Sequence, residues 1–288
     1  MRSNNLEFGP LFQCASNRQS FVGANLVFAP GVQGDHQVRP CDLTPFGGES
    51  AAWNSGPGTY LASMPARLWP RRERGQGVPD LQGEKEFLAG LLVKQSLDGR
   101  FKNFTLGTTS LGQPRLLVDG RPGPPISFSW CAGRLFAVLG TPDNRIGLDA
   151  ASPEEFTGAY PYERVFNPAE WQAALPLTGG DREEAAALLW SAKEAVVKAL
   201  GCGYHYFGPR QVRLEFQGLE EHGPLWRGHL PAPAADQAPR AIQNIVPTAS
   251  IRLPQVWLSL AWIPASAEIP AFSQEDNPPL LANEANYR

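Results

Sequence analysis

The sequence predicts a mixed α/β chain, and three observations carry that expectation. The stretch Arg182–Leu200 has helical periodicity with a stop signal at each end, several short apolar or alternating runs read as strands, and clusters of Gly and Pro separate them. At 288 residues, 42% hydrophobic and 18% charged, the chain has enough material for one large globular domain or two modest ones.

Residues 1–80 are rich in Gly, Pro, Asn and Ser with only brief apolar runs at 25–29 and 59–62, so regular structure there should be short. Over 84–95, Phe87, Leu88, Leu91 and Leu92 fall at helical spacing while Lys85 and Lys94 lie off that stripe, which predicts an amphipathic helix. Gly112-Gln113-Pro114 and the cluster at 120–125 mark turns, and the runs at 126–131 and 135–139 predict a hairpin. After a third turn, Arg145-Ile146-Gly147-Leu148-Asp149 reads as a short strand closed by a carboxylate, a place where a rigid backbone can aim a side chain into a cleft.

For the helix at Arg182–Leu200, Asp181 is the expected cap, Glu184 the expected partner in a capping box, and Gly201 the left-handed stop. Leu189, Ala192, Val196 and Leu200 make its apolar stripe, and Glu194 and Lys198, four apart, share an adjacent face. Trp190 is expected to pack this helix against a sheet. Strands are predicted at 212–216, 225–230 and 256–263, with an Ala/Pro-rich surface excursion at 231–239 and surface chain beyond Pro264.

A formal net charge of −3 gives no sign of a chain that coats nucleic acid or an anionic membrane, so any basic site must be local. Cys14, Cys41, Cys131 and Cys202 are scattered without histidines at metal-ligand spacing and read as buried or neutral thiols of a reducing compartment. The first residues lack the apolar core of a signal peptide and no run is long enough to span a bilayer, so a cytoplasmic protein is expected.

Two segments carry chemistry: Ile146-Gly147-Leu148-Asp149, and Trp190-Ser191-Ala192-Lys193-Glu194-Ala195-Val196-Val197-Lys198, with Asp149 and Glu194 45 residues apart. Together they resemble the paired signature of the phosphopantetheinyl transferase superfamily, a Gly-x-Asp strand end and a Trp-Ser-x-Lys-Glu-x-x-x-Lys helix. Phe166-Asn167-Pro168-Ala169-Glu170-Trp171 is similar to that family's Phe-Ser-x-x-Glu element, and Gly112-Gln113-Pro114 to the Gly-Lys-Pro turn of its long, two-lobed, surfactin-synthetase-activating type. The resemblance covers 85–263, and residues 1–80 match poorly.

The resemblance implies two similar lobes about an approximate two-fold axis, each a small sheet on a long helix, with coenzyme A between them. The lobes are expected at 1–142 and 143–288, in a monomer. It implies transfer of 4′-phosphopantetheine from coenzyme A to a serine of an apo acyl or peptidyl carrier protein. Attack on the β-phosphorus builds negative charge on an anionic pyrophosphate, so such a site needs a hard divalent cation and fixed positive groups. Mg²⁺ takes one or two carboxylates and keeps waters, which suits Asp149 and Glu194. Lys193 and Lys198 are then expected to stabilise phosphate charge or the leaving group, with Glu194 accepting the serine proton directly or through a metal-bound water.

Taken singly, each motif has a plainer reading: Glu194 and Lys198 as a solvated helix pair, Asp149 as a turn residue. Two departures also bear on function. Ala151 stands where the long members carry a third acid, and Ser127-Phe128-Ser129-Trp130-Cys131 stands for Asn-x-Ser-His-Ser. Ser129 and Trp130 are expected in the coenzyme A site, Trp130 either stacking on adenine or filling core volume, since one neutral indole donor is a poor match for a phosphate. Lys85 and the run Arg67, Arg71, Arg72 and Arg74 are the cations expected to meet the 3′-phosphate. Two other functions stay open: a binding module for a carrier protein or coenzyme A that transfers nothing, and a Mg²⁺-dependent phosphate-ester hydrolase.

Overall fold

Alternation along single strands sets the layering in this computed structural model, which describes residues 51–54, 60–65, 81–96, 101–220, 223–231 and 245–264. In β7 (Arg134–Leu139), Leu135, Ala137 and Leu139 pack with Leu88 and Leu92 of α1 (Gln82–Ser96), while Phe136 and Val138 face the other way. With β1 (Ala51–Asn54), β2 (Tyr60–Pro65) and β6 (Ile126–Cys131), β7 forms an antiparallel sheet of order β1-β2-β7-β6.

A second antiparallel sheet is built from β8 (Asn144–Ala151), β9 (Arg213–Glu220), β10 (Gly223–His229), β11 (Ile245–Arg252) and β12 (Trp257–Pro264), in the order β8-β12-β11-β10-β9. Ile146, Leu148 and Ala150 of β8 meet Phe136 and Val138 across the interface, and the alternate residues Gly147, Asp149 and Ala151 face α4 (Arg182–Leu200). The stack is therefore α1, four-stranded sheet, five-stranded sheet, α4. A third sheet of β3 (Phe104–Thr108), β4 (Pro114–Val118) and β5 (Arg121–Pro122) and two short helices, α2 (Tyr162–Val165) and α3 (Pro168–Leu177), complete the described fold.

The helix ends mostly follow the expected chemistry. Asp181 Oδ1 accepts from the Glu184 amide at 2.9 Å, and Gly201 takes φ 80°, the left-handed stop that a Cβ would disfavour. The expected capping box does not form, because the Glu184 carboxylate turns to Arg252 Nη2 (2.5 Å) and Trp257 Nε1 (2.7 Å) and pins α4 to the sheet instead. The strand predicted at 145–149 runs on to Ala151, so Asp149 lies within β8 rather than closing it. The excursion at 231–239 beyond its first residue, the chain past Pro264, Cys14 and Cys41 lie outside the described residues. Cys131 and Cys202 are buried free thiols, as expected. No described helix is long and apolar enough to cross a membrane.

Candidate active site

Gly147 explains how a strand carboxylate comes so close to a helix. A Cβ there would land on the Ala195 carbonyl oxygen and the Ala199 backbone nitrogen, so only glycine lets β8 lie directly on the α4 backbone. Asp149, on the same face of β8, is thereby brought to Lys198, whose Nζ donates to Asp149 Oδ1 at 2.6 Å and to the Phe128 carbonyl at 3.4 Å. The serines of β6 complete the seam. Ser127 Oγ accepts from the Leu148 amide and Ser129 Oγ from the Ala150 amide, both at 3.0 Å, and Ser129 donates to Asp149 Oδ1 at 2.9 Å.

Asp149, Glu194 and Lys198 open on one cleft of about 1270 Å³, toward the top of or beyond the usual span for small-molecule sites. Ser129, Trp130 and Lys85 line it too, as does Gln113, whose side chain rests against Gly201 at the end of α4. The charges on its described walls are four carboxylates, Asp149, Glu154, Glu155 and Glu194, against Lys85 and Lys198. Burial first, and the neighbouring Asp149 charge second, push Glu194 up to about 7, with Lys198 opposing. Burial likewise raises Asp149, against the pull of Lys198 and Ser129. For Lys198 burial disfavours the charge, but Asp149 and Glu194 outweigh it and raise its pKa.

Such a pair of mutually repelling, poorly hydrated carboxylates is short of positive charge, and its hard oxygen donors fit Mg²⁺. Among the described residues no group of three or more His, Cys, Asp or Glu converges as a metal site, so the protein's share would be two carboxylates with waters completing the shell. Ala151, at the position of the family's third acid, is wholly buried in the apolar cluster under α4, where a carboxylate would meet hydrocarbon.

Lys193 is not brought to the cleft. Its side chain is 0% exposed, and Nζ donates to Glu170 Oε1 (2.8 Å), the Pro209 carbonyl (3.1 Å) and the Val212 carbonyl, which takes all three of its donors. The expectation that it meets phosphate is corrected by that saturation. Its partner Glu170 also accepts from the Asn167 and Leu214 amides, each at 2.8 Å, and so ties α3, α4 and β9 together. Trp190, expected against a sheet, instead lines the cleft and packs on Phe156 and Tyr204. Arg67, Arg71, Arg72 and Arg74 lie outside the described residues.

Sequence reasoning passed over Glu154 and Glu155. Ser152-Pro153-Glu154-Glu155 carries the Ser-x-x-Glu spacing of a capping box, and Glu155 Oε1 does accept from the Ser152 amide (2.9 Å) and from the Cys131 thiol (3.0 Å). That signal locates the turn, though not its place on the cleft wall.

The fold and the site thus define an α/β domain with an acidic, lysine-bearing cleft at the seam of two sheets. Residues 145–236, which hold Asp149, Glu170, Lys193, Glu194 and Lys198, match the family model of the 4′-phosphopantetheinyl transferase superfamily. This segment is therefore similar to the domain of that superfamily, whose general chemistry is phosphopantetheine transfer. No curated protein matches the chain significantly.

Proposed function

We propose that this protein transfers 4′-phosphopantetheine from coenzyme A to a serine of an apo carrier protein, in a reaction that depends on Mg²⁺. The observation that carries the reading is the convergence of Asp149, Glu194 and Lys198 on one large cleft within the superfamily domain. A bond forms between the serine oxygen and the β-phosphorus, and the phosphorus–oxygen bond to adenosine 3′,5′-bisphosphate breaks. The serine proton goes to Glu194, directly or through a metal-bound water, since this carboxylate faces the cleft beside Asp149 and Lys198. Lys198, with a side chain 29% exposed, is placed to meet charge building on the pyrophosphate. Asp149 and Glu194 are the groups that would hold Mg²⁺, and the ion would supply charge neutralisation at the pyrophosphate. On this reading the sheets carrying α1 and α4 are the two lobes, one on each side of the donor.

Incubation with coenzyme A, Mg²⁺ and several apo carrier domains tests the proposal by intact mass of the carrier. A phosphopantetheine adduct is expected. Binding of carrier or coenzyme A without an adduct would favour a binding module, and phosphate release without an adduct would favour a hydrolase.

A further inference from the structure

The large apolar side chains left exposed among the described residues are Phe87, Leu117, Trp130, Phe216 and Leu219, and of these only Trp130 lines the cleft. It is 43% exposed, although every other residue of β6 is buried and its cross-strand partner Leu135 is 1% exposed. The indole is thus held on a rigid hairpin with an apolar surface turned to the cleft, an arrangement that costs free energy until something covers it. Its uncovered exposure also argues against filling of core volume as its role.

We infer that Trp130 is the stacking platform for the nucleobase of the donor, an assignment that rests on the transferase reading above. Three features point to a base rather than to another apolar group. Indole pairs best with flat π-systems in offset stacking. Lys85 lines the same cleft, and so supplies positive charge for a phosphate on the same ligand. Asp149 of β8, to which the preceding residue Ser129 donates, borders that cleft as well, so the platform and the acids that would hold the metal share one cavity. A ligand joining a planar base to a pyrophosphate satisfies all three.

Steady-state transfer by W130A and W130F tests this, with coenzyme A and with a donor whose pyrophosphate ends in a methyl ester in place of the nucleoside. W130A should raise KM for coenzyme A about tenfold with kcat within about twofold, and W130F should restore most of the loss. The base-free donor and the KM for the carrier should be indifferent to residue 130. An unchanged KM for coenzyme A, an equal loss with both donors, or a rise in the carrier's KM overturns the assignment. If the wild-type chain transfers nothing, the transferase reading fails separately, and fluorescence titration with adenosine 3′,5′-bisphosphate decides the platform. Quenching in wild type that W130F lacks supports it, and identical titrations overturn it.

Discussion

Two lysines five residues apart on α4 each pair with a buried acid, and the pairs have opposite characters. Lys193 and Glu170 have side chains 0% and 2% exposed, with every lysine donor taken inside the protein. Lys198 and Asp149 are 29% and 8% exposed and face the cleft beside Glu194. The same chemistry acts as a clamp where its hydrogen bonding is saturated and stays open to a ligand where the pair borders the cleft. One helix therefore carries a saturated ion pair on one face and, on the proposed reading, the reacting groups on the next.

The sharpest way to break this contrast is to remove charge from the open pair. E194Q should lower kcat by about 10²–10⁴-fold while the melting curve stays cooperative, since it removes the proposed proton acceptor and one proposed metal ligand. K198M should lose about 10²-fold in transfer, the scale of one lost electrostatic contact in a transition state. A wild-type rate in either variant would place the chemistry elsewhere.

The closed pair should respond in stability instead. K193M leaves Glu170 as an unpaired buried charge and is expected to cost about 3–5 kcal/mol in urea unfolding. The double variant K193M/E170Q should recover part of that, because the uncompensated charge goes while a side-chain oxygen remains for the Leu214 amide. The rate per folded molecule should stay near wild type. Loss of rate in a stably folded K193M would return this lysine to the reaction.

The smallest effect is in pH. In metal-free protein Glu194 has a folded pKa of about 7, above that of an unfolded glutamate, so the folded state holds the extra proton. Its stabilising contribution is full below the unfolded value and is lost as pH rises through about 7. In chelator, wild type should lose melting temperature between about pH 5 and pH 8, and E194Q should flatten that decline. A steeper decline in E194Q would contradict the assignment of cause.

How much of this was legible follows from where the determining contacts lie. The helix at Arg182–Leu200 and the hairpin strand at Ile126–Cys131 could be read directly, because period, cap and turn are local. β11 and the β3–β4 pair were missed, since Pro247 and Gly107 interrupt their patterns and only cross-strand pairing secures them. Within the motif the residue types named the chemistry, but Lys193 and Lys198 look alike in sequence. Only the fold of α3 and β9 around Lys193 separates them. The glycine of Gly-Leu-Asp likewise reads as an ordinary strand residue until α4 is seen against it.

The most direct test of the central claim is a titration with Mn²⁺ as a spectroscopic stand-in for Mg²⁺, followed by electron paramagnetic resonance in the absence of substrate. One ion per chain is expected for wild type and for K193M, with binding weakened about tenfold or more in D149N and in E194Q. Equal Mn²⁺ affinity in wild type, D149N and E194Q would contradict the account, because the two acids would then not share an ion.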